Sequence, residues 1–172
     1  RNNFRIVRGV GLVAKWGDVD FKQLVKLQEK LNGLELEAFI NSCAKELAAR
    51  LLRKVIKRTL PGQYTPESGK KGGTLRRGWT AKTEGEAASG KSATAEAYIK
   101  SLQVKKLGNV YQIEIINPVQ YASYVEFGHR TRDHKGWVRG KFMLTISEQE
   151  LESQAPAILE KRLIAKLREV FK

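Results

Sequence analysis

The one stretch that fits a catalytic fingerprint is Gly85-Glu-Ala-Ala-Ser-Gly90-Lys91-Ser92, which has the spacing of a phosphate-binding P-loop. Such a loop works because backbone amides and a lysine cradle phosphates between a buried strand and a helix. Here Trp79-Thr-Ala-Lys-Thr-Glu84 precedes it, a poor core strand. No apolar run ending in Asp supplies a second magnesium ligand; Asp18, Asp20 and Asp133 all have polar or loop-like settings. The match reads as a coincidence inside a Gly/Ser/Ala tract, and a P-loop NTPase ranks third among the functions considered.

His129, Asp133 and His134 form a second cluster, with Cys43 the lone cysteine far away in sequence. A metal needs three or four ligands in a fixed shell, and five-residue spacing in a basic loop does not align two imidazoles on one helical face. Neither a metal nor another cofactor is expected, and no Ser/His/Asp or Cys/His arrangement points to catalysis. The basic clusters carry more. Lys70, Lys71, Arg76, Arg77 and Lys82 surround Trp79, and Arg130, Arg132, Lys135, Arg139 and Lys141 flank Trp137. Arginine beside an indole can grip phosphates or bases, so these residues are candidates for facing a partner or DNA.

A net charge of +14 over 172 residues favours acidic partners: nucleic acid, anionic lipid or an acidic protein surface. No apolar run approaches the roughly 20 residues that cross a bilayer, so no membrane association is expected. The first fifteen residues lack the compact apolar stretch of a signal peptide. One cysteine permits no internal disulfide, and Cys43 falls on an apolar helical stripe.

The elements that must carry these clusters read as α+β. Residues 1–17 form an arm, with a strand or extended segment between Phe4 and Trp16, and 18–172 form a single domain with a flexible insertion at 63–97. Phe21, Leu24, Leu27 and Leu31 predict a first helix that stops at Asn32-Gly33. Leu36, Ile40, Cys43, Leu47, Leu51 and Val55 predict a long second helix at about 35–60, ended by Pro61-Gly62. The 63–97 stretch reads as a mobile basic excursion anchored only by Leu75 and Trp79. Residues 98–117 predict a β-hairpin turning at 107–109, followed by a short helix over 120–127 stopped by Gly128. A basic loop over 129–141 and a short strand near 142–145 follow. Ser147 and Glu150 predict a capping box for a final helix at 147–171, interrupted or kinked at Pro156. The antiparallel sheet is expected to pack against the two long helices.

Two blocks, Gly73-Thr-Leu-Arg-Arg-Gly-Trp79 and Asn117-Pro-Val-Gln-Tyr-Ala-Ser-Tyr-Val-Glu-Phe-Gly-His129, with Gly140-Lys-Phe-Met-Leu144 after them, carry a family likeness. Together they resemble the tail-completion, or neck, proteins of long-tailed bacteriophages and of phage-derived contractile particles. The resemblance implies a structural virion protein without catalysis. It implies a ring, of six copies, joining the head connector to the tail around the DNA channel. Its partners would be head-completion or connector proteins and tail-terminator or tail-tube proteins, with passing duplex DNA a further contact. Its place would be the virion neck, and the host cytoplasm during assembly. It also implies that Leu75, Tyr121, Tyr124, Val125, Glu126, Phe127 and Gly128 pack the motif helix on the sheet, with Glu126 paired to Arg76 or Arg77. Much of the basic surface is expected to face acidic head or tail proteins, because a fully basic lumen would grip DNA that must slide. The runner-up is a basic nucleic-acid-binding module built on the Trp79 and Trp137 clusters.

Overall fold

The computed structural model describes residues 12–15, 36–69, 71–108 and 110–170, with the backbone alone for 12–15 and for residue 170. The expected first helix, its Asn32-Gly33 stop, most of the arm and Lys70 lie outside these residues. In chain order the elements are β1 (Leu12–Lys15), α1 (Leu36–Arg58), a 3-10 turn (Pro66–Ser68), α2 (Thr74–Gly78), α3 (Glu84–Ser89) and α4 (Ala95–Ser101). They continue as β2 (Lys105–Leu107), β3 (Val110–Gln112), β4 (Glu114–Asn117), α5 (Ala122–Phe127), β5 (Gly128–Arg130), β6 (Trp137–Arg139) and α6 (Met143–Val170). The class is α+β, as the sequence predicts, with antiparallel strands packed among helices.

The stripe on α1 sets the core. Leu36, Ile40, Cys43, Leu47, Leu51 and Val55 are all buried, and burial raises the Cys43 thiol pKa against the opposing pull of Arg162. Each such aliphatic side chain contributes about 1.5–3 kcal/mol by leaving water. α6 lies along α1, burying Met143, Leu144, Leu151 and Ala155. Polar ties fasten the pair at both ends. Arg162 donates to Glu46 at 2.5 Å and to the Ser42 hydroxyl at 3.0 Å. Glu150 accepts from Lys54 at 3.1 Å and from Arg58.

Residues 110–117 form one extended run that changes partner midway. Its first half pairs antiparallel with β2, its second half with β1 in the register Leu12↔Asn117 to Lys15↔Glu114. Ile113, Ile115 and Asn117 all point into the core, the period of two expected of a half-buried strand.

Three local expectations need correction. The predicted strand over 98–106 begins instead as α4 and is extended only from Lys105, because the Thr94 hydroxyl accepts the Ala97 amide and caps a helix that buries Tyr98 and Ile99. No strand forms near 142–145: Phe142 takes a left-handed φ of 50° and α6 starts at Met143. Ser147 therefore is not a cap. It sits buried a turn inside α6, donating to the Met143 carbonyl at 2.6 Å and accepting from Arg58 at 3.2 Å. α6 continues unbroken through Pro156.

The excursion is also built into the fold. Leu75, Trp79, Ala81 and Ala87 are core residues, and α2 and α3 pack on each other. The flanking stretch at 60–69 is exposed throughout.

Candidate assembly surface

The second basic cluster stands on a hairpin with a rigid root and a rigid tip. At the root, β5 and β6 pair as Gly128↔Arg139, His129↔Val138 and Arg130↔Trp137. Gly128 has φ 86° and ψ 172°, a region open essentially to glycine alone. A Cβ there would meet the Val138 carbonyl oxygen, and one at Gly140 would meet the Glu126 carbonyl oxygen. The two glycines thus let two backbone segments cross in contact. The Lys141 and Phe142 amides then donate to the Val125 and Glu126 carbonyls at 2.8 and 3.0 Å.

At the tip, the Thr131 amide donates to the Gly136 carbonyl at 3.0 Å, and the Gly136 amide to the Thr131 hydroxyl at 2.9 Å. Asp133 accepts from the Thr131 hydroxyl and from the Lys135 amide, and the hydroxyl bond holds its carboxyl below the usual range. His134 takes a left-handed φ of 58° to close the turn. What reads in sequence as a basic loop is a prefolded hairpin.

Its cations and apolar groups are displayed together. Arg130, Arg132, Lys135, Arg139 and Lys141 are exposed, and none forms a salt bridge among the described residues. Trp137 is 63% exposed on the face it shares with Arg130 and Arg139, and Val138 is exposed on the other face with His129. Tyr124 of α5, 58% exposed, meets the His129 ring edge-on at 5.7 Å, on the hairpin face of Val138. Large exposed aromatics ringed by arginine are the composition of a protein interface centre and rim.

The first cluster is different, and here the sequence reading is corrected. Trp79 is fully buried, and its indole nitrogen donates to the Thr59 hydroxyl at 2.8 Å. It faces no partner, because it plugs the core where α1 ends. Arg77 is an internal strut, donating to the Ala87 carbonyl at 2.7 Å and the Gly72 carbonyl at 3.3 Å. Lys71, Arg76 and Lys82 remain exposed. The two clusters are therefore not equivalent, and only the hairpin offers an accessible tryptophan among its cations.

The motif residues also divide. Leu75 is buried and Val125 packs against the core, but Tyr121, Tyr124 and Phe127 keep much of their surface in solvent. Tyr121 lies by the excursion: burial raises its hydroxyl pKa, with Tyr64 and Glu84 adding to this and Arg77 opposing it. Glu126 pairs with neither Arg76 nor Arg77. It is fully buried and caps α6, accepting the Leu144 amide at 3.0 Å, the Thr145 amide at 2.8 Å and the Thr145 hydroxyl at 2.8 Å. An anion there satisfies orphan amides and opposes the positive end of the helix dipole.

Four residues to which the sequence assigned no individual role matter to this frame: Thr59, Asn117, Gly140 and Glu148, of which Asn117 and Gly140 stand at the heads of the quoted segments. Asn117 donates to the Leu75 carbonyl at 2.9 Å and accepts the Val119 amide at 3.2 Å, joining the two motif blocks. The Asn-Pro pair was its signal, since an Asn side chain readily bonds the amide two residues on. Glu148, on the shoulder of α6, has its carboxyl pKa raised to about 7 by burial and by the neighbouring carboxyls of Glu126 and Glu152.

The P-loop-like stretch holds no phosphate cradle. Residues 84–89 are helical, and the Ala87 and Lys91 amides bond to the Thr83 and Glu86 carbonyls. Among the described residues no group of three His, Cys, Asp or Glu could hold a metal ion, and no helix is long and apolar enough to cross a membrane.

Compared with known proteins, residues 22–128 match the family model described as "Bacteriophage HK97-gp10, putative tail-component". The match takes in the first motif block and the second as far as Gly128, where the hairpin begins. No curated protein and no solved structure matches the chain.

Proposed function

The chain belongs to the HK97-gp10-like family of bacteriophage tail components, and from that premise we propose that it is a structural subunit of the phage neck. Copies form a ring, of six, that joins the head connector to the tail around the DNA passage. The observation that carries this reading is the prefolded hairpin, whose cations and exposed Trp137 are held out from a core that hydrogen-bonds its own polar groups. The domain at 18–172 is the ring body, and the arm at 1–17 is tied to it through β1, which pairs with β4. The work is mechanical: rigid cores interlock, and basic surfaces meet acidic ones on adjoining virion proteins.

Nucleic-acid binding is the weaker alternative because half of its aromatic support, Trp79, is in the core. Electron micrographs of the purified protein test the ring. Closed rings are expected, and monomers at all concentrations would overturn it. Binding to 30-base-pair duplex DNA at rising salt tests the alternative. Weak binding at physiological salt is expected, whereas tight binding with a steep salt slope would favour the DNA reading.

A further inference from the structure

β5 and β6 pair only with each other among the described residues, so each strand keeps one outer edge. In an antiparallel ladder, hydrogen-bonded and non-hydrogen-bonded pairs alternate. The Thr131 amide bonds the Gly136 carbonyl at the tip, which makes His129↔Val138 the next bonded pair. Arg130↔Trp137 and Gly128↔Arg139 are then the unbonded ones. Consistent with this, the Gly128 amide turns away from the ladder and donates to the Tyr124 carbonyl. The N–H and C=O groups of Trp137 and Arg139 therefore point outward along the free edge of β6. Among the described residues no hydrogen bond from outside the hairpin reaches them, and all three residues of β6 are exposed.

An exposed strand edge is a template for another extended chain, whose backbone supplies the missing partners. The side chains along it define what that chain must carry. Trp137 and Arg139 share one face, with Arg130 across from the indole, and Val138 points to the other. The indole nitrogen lies 2.8 Å from where a Cβ at Gly128 would stand, so the ring rests against the hairpin root.

A second copy of this chain offers no such strand. Two of these hairpins edge to edge would set like cations against each other. Of the acidic side chains among the described residues, only Glu114 is on a strand, and Lys105 pairs with it. The others are on helices or tight turns.

We propose, resting on the reading of this hairpin as a contact to an adjoining virion protein, that the outer edge of β6 takes up an extended acidic segment of that protein as a third strand. A carboxylate of the segment sits opposite Arg139, and apolar side chains sit opposite Trp137 and Val138. Arg130, Arg132 and Lys135 attract its remaining acids. Because the tip is already closed by its own hydrogen bonds, little ordering of the hairpin accompanies pairing.

The probe is a short fluorescent peptide alternating valine and glutamate, titrated into the full chain by anisotropy. One control peptide gathers the glutamates at one end, and another is N-methylated at every amide and can form no ladder. Both are expected to bind about tenfold or more weakly, as is the alternating peptide to Arg139→Glu. Amide exchange at Trp137 and Arg139 is expected to slow about tenfold when the alternating peptide binds the wild-type chain, a readout that needs no variant. Equal binding of the three peptides, or unchanged exchange at these two amides, refutes strand addition. So does a failure to bind the alternating peptide; if 30-base-pair duplex DNA then binds through Arg130 and Arg139, the hairpin belongs to DNA. Rings formed by a chain that ignores the peptide overturn the pairing alone. Monomers that bind it overturn the ring reading alone.

Discussion

Trp79 donates its indole hydrogen to the hydroxyl of Thr59, which in turn donates to the Val55 carbonyl at 2.7 Å, so a tryptophan from the motif block closes the end of α1. Replacing it leaves both a cavity and an unmatched hydroxyl. Trp79→Ala should destabilise the fold by about 3–5 kcal/mol, and Thr59→Val by about 1–3 kcal/mol. Trp137→Ala, on the exposed hairpin, should stay within about 0.5 kcal/mol. Urea denaturation of the three variants checks the contrast, and equal losses for Trp79 and Trp137 would contradict the assignment.

Glu126 holds the start of α6 by three hydrogen bonds from two consecutive residues. Glu126→Ala should cost about 2–4 kcal/mol, since buried amides lose a charged acceptor. Glu126→Gln, which keeps one acceptor, should cost roughly half as much. Amide exchange should quicken first at Leu144 and Thr145. Unchanged protection there would show that the cap is dispensable.

Gly128 and Gly140 touch through their backbones, so either Gly→Ala change forces the crossing apart. A loss of more than about 2 kcal/mol is expected for each. Gly90→Ala is the control: its φ is 78° but nothing lies within 4 Å of the added carbon, so only the backbone cost of about 1 kcal/mol applies. Thermal melts of the three proteins should rank accordingly.

Glu148 makes stability depend on pH in a definite direction. Unfolded, its carboxyl titrates near 4.5, and folded near 7, through burial first and then Glu126 and Glu152. Between these values the folded chain holds the proton more firmly, so stability falls as pH rises through the window and levels off above it. Glu148→Gln should therefore stabilise dilute, unassociated protein by roughly 1–3 kcal/mol at pH 8 and by almost nothing at pH 4. A pH-independent difference would rule out this titration.

The long helices were legible because helical burial repeats over many turns. Every residue of the α1 stripe from Leu36 to Val55 that the pattern selects is buried. What misled the reading was short and polar. Thr94 turned an apparent strand into α4 through one cap bond, and Glu126 moved the start of α6 four residues upstream of the Ser147/Glu150 box. Such single bonds leave no periodic trace. Trp79 and Trp137 look alike in sequence, each an indole among arginines. Their opposite fates depend on Thr59, twenty residues before one of them, and no local pattern announces that pairing.

Asn117 has a consequence for how this chain can change. One amide side chain is bonded to the Leu75 carbonyl while lying against Gly78, where a Cβ would collide with it. The two fingerprints are therefore halves of one joint rather than separate features. A bulkier residue at 78 is tolerable only if 117 shrinks, and a shorter 117 abandons the carbonyl at 75. Substitutions at these positions must come in matched sets or fail.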